Sequence, residues 1–230
     1  GHLVTVRVLS SCGGDITVRD ERGYTVMHKA SDEGQAPVVK ELVALQGIGE
    51  TLMLQSTDTL WTPLHLAARH GHTEALRELL SGVSSHVACD TRLQDSDGWS
   101  PLHHAVYAKS LECVQQLTNI EGIIDIESNS GWTAIELSAW LGYYSITKHL
   151  ISKDPSASSV AKALIKATKN NNTSIADALK AASSAPNNAP QLATLPTPGQ
   201  VVKGVVLGRG SFGCVHPIHT SAGIHAIKKQ

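Results

Sequence analysis

One block of sequence recurs along the first 183 residues and leaves this chain few ways to fold. It reads Gly23-Tyr24-Thr25-Val26-Met27-His28, Leu60-Trp61-Thr62-Pro63-Leu64-His65, Gly98-Trp99-Ser100-Pro101-Leu102-His103 and Gly131-Trp132-Thr133-Ala134-Ile135-Glu136. Nine residues after each Thr or Ser comes Gly34, Gly71, Lys109 or Gly142, and eight later Leu42, Leu79, Leu117 or Leu150. Gly1 and Leu9 keep that interval, so a first unit opens midway. A worn fifth copy runs through Leu164-Ile165-Lys166-Ala167-Thr168, with Asn171 and Leu179 at the two marker positions. The marker residues Gly1, Gly34, Gly71, Lys109, Gly142 and Asn171 lie 29 to 38 residues apart. Self-similarity at such a period implies stacked units, each burying its apolar face on the next.

One unit can be read physically. Thr62 is a helix N-cap whose hydroxyl accepts from free backbone N–H groups, and Pro63 suits the first turn. Leu64, Ala67 and Ala68 share one helical face. Gly71 ends the helix in the left-handed conformation, and Ala75, Leu76, Leu79 and Leu80 form the stripe of a second, antiparallel helix. Asn171 tolerates positive φ, whereas Lys109 predicts strain or an altered turn. Apolar residues make up 41% of the 230 and aromatics only 4%, so the core must be Ala, Leu, Val and Ile.

These residues resemble the ankyrin repeat over about four fifths of the chain, most specifically in Thr62-Pro63-Leu64-His65, Gly71-His72 and Leu79-Leu80. The resemblance implies a mainly α fold: an α-solenoid of helix pairs joined by β-hairpin fingers that binds a protein partner. Its last unit would be a cap with a polar outer face, supplied by Lys162, Lys166, Lys169, Asn170, Asn172 and Lys180. His28, His65 and His103 recur one per unit, which favours local hydrogen bonding over a metal site. Tyr24, Trp61, Trp99 and Trp132 share one position before the helix and are the candidate protein-binding residues. Shielding of neighbouring backbone is the alternative for these rings. Residues 47–56 and 82–92 lengthen two inter-unit loops and are candidate recognition elements. Acidic residues are dispersed, with no cluster of nucleophile, base and orienting group.

A Pro/Asn-rich linker is expected over residues 184–200 and a separate segment over 201–230. In the latter, Val201–Leu207, Cys214–His219 and Ile224–Lys228 read as three antiparallel strands. The first turn holds Gly208-Arg209-Gly210-Ser211-Phe212-Gly213-Cys214-Val215, and Ala226-Ile227-Lys228 follows. A dinucleotide-binding loop would need a helix and a later acidic residue, and a P-loop would need Gly-Lys-Ser/Thr, so neither fits. The pair of motifs is similar to the opening of a eukaryotic protein kinase N-lobe. That resemblance implies an ATP site, with Mg2+ in an intact enzyme. Gly208, Gly210 and Gly213 would lie over the phosphates, Ser211 and Phe212 at the loop tip. Leu207, Val215 and Ala226 would line the adenine pocket, and Lys228 would hold the α- and β-phosphates.

No catalytic residue of a kinase is expected among these 230 residues. The expectation is a fragment, cut at both ends, of an ankyrin-repeat kinase acting on protein Ser/Thr rather than Tyr hydroxyls. A non-catalytic ankyrin scaffold with a vestigial kinase region is the alternative. The formal charge of −1 gives no field for nucleic acid. No apolar run is long enough to cross a bilayer. Scattered Cys12, Cys89, Cys113 and Cys214 suit a reduced, cytoplasmic setting.

Overall fold

The structure, a computed structural model, describes residues 12–45, 54–86 and 92–184, isolated positions near the N-terminus, and short backbone stretches between 209 and 226. The chain divides into two units, 1–185 and 186–230.

In the first unit the recurring block produces a recurring helix pair. These are α1 (Val26–Asp32) with α2 (Ala36–Ala44), α3 (Pro63–Arg69) with α4 (Thr73–His86), and α5 (Pro101–Tyr107) with α6 (Leu111–Leu117). Then come α7 (Ala134–Leu141) with α8 (Tyr144–Ile151), and α9 (Ala157–Lys169) with α10 (Thr173–Ser184). Thr25, Thr62, Ser100 and Thr133 are extended N-caps with φ of −91°, −92°, −85° and −95°. Each pair turns at the marker residue, and all five markers are left-handed: Gly34, Gly71, Lys109, Gly142 and Asn171 at φ 65°, 68°, 58°, 79° and 57°. Lys109 thus keeps the turn and carries the strain, about 1–2 kcal/mol for a side chain in this region. Its ammonium sits 5.3 Å from the centre of the Tyr143 ring.

First helices pack in one row (α1, α3, α5, α7, α9) and second helices in another (α2, α4, α6, α8, α10). The core between them is aliphatic: Leu42, Leu76, Leu102, Leu117, Ile135, Leu150 and Leu179 are buried, spaced by small Ala67, Ala105, Ala139 and Ala167. This is the α-solenoid expected from the repeat.

The expected β parts of the fold are corrected. Among the described residues of the first unit there are no strands, so the fingers are not β-hairpins. Each is a tight turn, closed for example by Gly98 N–H to Asp95 O (2.9 Å) and Asp95 N–H to Trp99 O (2.9 Å). One backbone bond joins neighbouring fingers: Thr57 N–H to Arg22 O, Ser96 N–H to Thr59 O, and Asn129 N–H to Asp97 O. The helix N-cap follows the closing residue at once, so no length remains for a ladder. Nor do the described tail residues form a three-stranded sheet. They make two separate hairpins, β1 (Arg209–Gly210) with β2 (Gly213–Cys214) and β3 (Pro217–Thr220) with β4 (Gly223–Ala226). Pro217 opens β3, where its missing N–H costs least.

The fingers make Gly98 irreplaceable in a way Gly71 is not. Both have positive φ, but a Cβ on Gly98 would collide with the Asn129 backbone amide of the next finger, whereas one on Gly71 would meet only Ser110 Cβ at 3.4 Å. Urea unfolding of Gly71→Ala should show a loss of about 1 kcal/mol, and Gly98→Ala at least about 1 kcal/mol more. Equal losses would show that finger stacking does not constrain Gly98.

Candidate binding site

The histidines of the repeat set the geometry of the fingers. His28, His65 and His103 stand at the third position of α1, α3 and α5 and are buried. Each Nδ1 accepts the N-cap amide N–H of its own unit, from Thr25 (3.1 Å), Thr62 (3.2 Å) or Ser100 (3.3 Å). An amide can only donate, so Nδ1 is bare and the proton rests on Nε2. Each Nε2–H donates to the carbonyl of the next finger's aromatic residue: Trp61 (3.1 Å), Trp99 (3.1 Å) or Trp132 (2.9 Å). Burial disfavours imidazolium, lowering His28 and pushing His65 down to about 3 and His103 to about 4. Both nitrogens of each ring are therefore committed to backbone. In the fourth unit Glu136 takes this place, accepts from the Thr133 hydroxyl (3.3 Å) and has its pKa raised by burial.

A second network anchors Trp61 and the third finger. Buried Asp95 accepts the N–H groups of Trp99 (2.7 Å) and Asp97 (3.0 Å) on Oδ1, and Trp61 Nε1–H (3.0 Å) and His104 Nε2–H (2.8 Å) on Oδ2. Burial alone would raise its pKa, but these donors outweigh it and hold the carboxyl below the usual range.

The four aromatic positions singled out from sequence therefore differ. Tyr24 is buried, with Lys29 over its ring at 4.8 Å. Trp61 is half-buried, held by Asp95 on its edge and Arg69 on its face at 4.8 Å. Trp99 and Trp132 converge with Trp140, His103, Leu137, Ser128 and Ser130 around a cleft of about 200 Å³. Trp140 meets Trp132 edge-on at 5.8 Å, and Tyr107 meets Trp99 at 5.7 Å. Trp140 (44% exposed) and Tyr107 (54%) leave apolar surface facing solvent.

Trp140 and Tyr107 were missed in the sequence, although a signal existed. Each lies eight residues after its finger aromatic, where the last turn of the first helix comes back over the finger. Asn170 and Asn172 tie the fifth unit here as well, donating to the carbonyls of Trp140 and Ala139 at 2.8 Å each. Of the residues read as an ATP site, Leu207, Gly208, Ser211, Phe212, Val215 and Lys228 lie outside the described residues, as do 47–53 and 87–91 of the two lengthened loops, while 82–86 are helical and continue α4 rather than forming loop. Gly210 faces Gly213 across one hairpin, and Ala226 faces Pro217 across the other. Among the described residues, no helix is long and apolar enough to cross a membrane.

Stacked helix pairs, left-handed turns and bonded fingers define a repeat protein of the solenoid class. A model of ankyrin repeats (3 copies) matches residues 1–89 and 83–161, and the chain belongs to the ankyrin-repeat family. It is 38% identical over 101 residues to human Ankyrin repeat and SOCS box protein 3, covering 41% of this chain and 18% of that protein. It is 35% identical over 92 residues to Alpha-latrotoxin-Lg1a of Latrodectus geometricus, covering 40% and 6%. With the Caenorhabditis elegans homolog of Transient receptor potential cation channel subfamily A member 1 it shares 29% over 153 residues, covering 66% and 12%. The chain thus spans less than a fifth of these curated relatives.

The neutral histidines make stability depend on pH in a stated direction. Their pKa values in the fold lie below the unfolded value of about 6.5, so the unfolded chain binds protons that the fold refuses. The stabilisation is complete above pH 6.5 and is lost as pH falls toward 4. At pH 5 His65 and His103 should each cost about 2 kcal/mol relative to neutrality. Thermal melts between pH 7 and 5 should show the fall, and His103→Gln should flatten it while lowering Tm at pH 7. A pH-independent Tm would show that these rings take up protons as readily in the fold as in the unfolded chain.

Proposed function

We propose that this chain is a non-catalytic scaffold whose repeats dock a protein partner at the Trp99–Trp132–Trp140 cleft. The observation that carries the reading is this cleft, with Trp140 and Tyr107 left exposed beside it. Tryptophan and tyrosine dominate interface energies because they bury large rigid surfaces at low entropic cost. Tyr24, Trp61 and Trp132 each carry one of the chain's own cations over the ring, but the cleft with exposed Trp140 and Tyr107 beside it lies at the third and fourth units, where a partner gains most. Immobilised chain should capture a discrete partner from cell extract. The doubly substituted Trp99→Ala, Trp140→Ala chain should lose it by at least about tenfold, while Arg69→Ala retains it. Equal capture by all three, with matching circular dichroism melts, would place the docking surface elsewhere.

A second reading concerns residues 201–230 as part of a protein kinase ATP site for Ser/Thr substrates. What supports it is the spacing of Gly208, Gly210, Gly213, Val215 and the Ala226-Ile227-Lys228 triplet, together with the Gly210–Gly213 pairing that flanks Ser211 and Phe212. Titration with MgATP should then broaden the amide resonances of Gly208–Val215, an effect removed by Lys228→Met. Unperturbed resonances at saturating nucleotide would leave the scaffold reading alone.

A further inference from the structure

We propose that the cleft takes an apolar side chain from an acidic segment of the partner, with the Lys166 ammonium as its counter-charge. This inference rests on the protein-binding reading and specifies the partner's chemistry.

Size and walls come first. A space of about 200 Å³ between three indoles suits one branched aliphatic or aromatic side chain. Its walls are held from behind: the Trp132 carbonyl by His103, the Trp140 carbonyl by Asn170, and the Trp99 amide by Asp95. A preformed pocket demands little ordering when it is filled.

Charge decides what flanks that side chain. Lys166 Nζ lies 3.7 Å from the centre of the ring of Trp132, which forms one wall of the cleft. Among the described residues it makes no salt bridge, whereas the neighbouring carboxylate of Glu127 is paired with Lys162 at 2.6 Å. Glu136, close enough to interact with Lys162 and Lys166, is buried, and burial raises its pKa against the lowering effect of those two lysines. Asp95 spends both oxygens on its four donors. Lys166 is thus the cation beside the Trp132 wall that, among the described residues, has no salt-bridge partner of its own.

Three indoles would also suit a cationic ligand, such as a methylated ammonium. Here a cation already occupies the face of Trp132, and a second would meet like charge. A carboxylate beside the apolar anchor pairs with Lys166 and leaves the anchor free to enter. Residues 178–230 contain no Asp or Glu and so supply no acidic segment of this kind.

A random dodecapeptide display library selected on the immobilised 230-residue chain tests this. Enriched peptides should carry one large apolar residue flanked by Asp or Glu. In fluorescence anisotropy the best of them should lose more than about tenfold in affinity with Trp140→Ala. Lys166→Glu should cost roughly fivefold, the size of one exposed ion pair, and raising salt should weaken binding. Circular dichroism melts of both variants establish that they fold. Peptides rich in Lys, Arg or no charge that still require Trp140 would overturn the acidic partner and leave the docking site standing. Peptides indifferent to Trp140, or no enrichment at all, would overturn the inference, and the extract capture then judges the docking site by itself.

Discussion

The hydrogen bond from a buried neutral histidine to the next finger's carbonyl is the constraint on which the rest of this solenoid depends. Each of His28, His65 and His103 closes its own helix N-terminus through Nδ1 and holds the following unit through Nε2. The first bond fixes the tautomer, and the tautomer gives the second bond its direction. A single ring therefore couples helix start to finger position. An uncharged ring is required, and the burial created by stacking enforces it. Local order and inter-unit packing in this way support each other, which is what makes a linear array cooperative.

The two rows of helices approach closely because alanine lines them, at Ala67, Ala68, Ala105, Ala139, Ala163 and Ala167. Such a core has no place for large rings. All four tryptophans instead belong to finger ends or, for Trp140, to the last turn of a first helix. The low aromatic content is thus a partition as well as a packing fact. Aliphatic residues hold the stack, and the indoles are kept for the finger-facing surface, where their N–H groups and faces find polar partners such as Asp95 and Arg69.

Helix starts and turns were legible because local chemistry repeats with the unit: Thr62-Pro63, Ser100-Pro101, and a left-handed residue nine positions on. Even Lys109 obeys the unit's turn, since the packed helices on either side over-determine it and outweigh the backbone cost. The fingers were misread as hairpins because the same residues suit a turn closed by two bonds and a longer ladder. Only the distance to the next N-cap decides between them. The strand-like alternation of the tail was read as one sheet, yet its described residues pair as two local hairpins, for which turn chemistry suffices. Trp140 escaped notice for another reason. The position it fills is occupied by Asp32, Arg69, Tyr107 and Trp140 in turn, so it has no residue type to recur.

That unvarying position with varying residues sets how the second, third and fourth fingers of the face differ. Asp32 contacts His70 at 3.1 Å, while Lys29 lies over Tyr24 and Arg69 over Trp61, so the first two finger rings each carry one of the chain's own cations. At Tyr107 and Trp140 the covering residue becomes aromatic and meets its finger ring edge-on, and one face of Trp132 is taken by Lys166 from the fifth unit. An edge-on pair is favourable yet holds the two rings at an angle, and the cleft is lined by Trp99 of one such pair and Trp132 and Trp140 of the other. Helix geometry fixes where the eighth residue falls, and side-chain choice at that place decides whether a finger is sealed or receptive. The docking surface is therefore written in substitutions that leave the fold untouched.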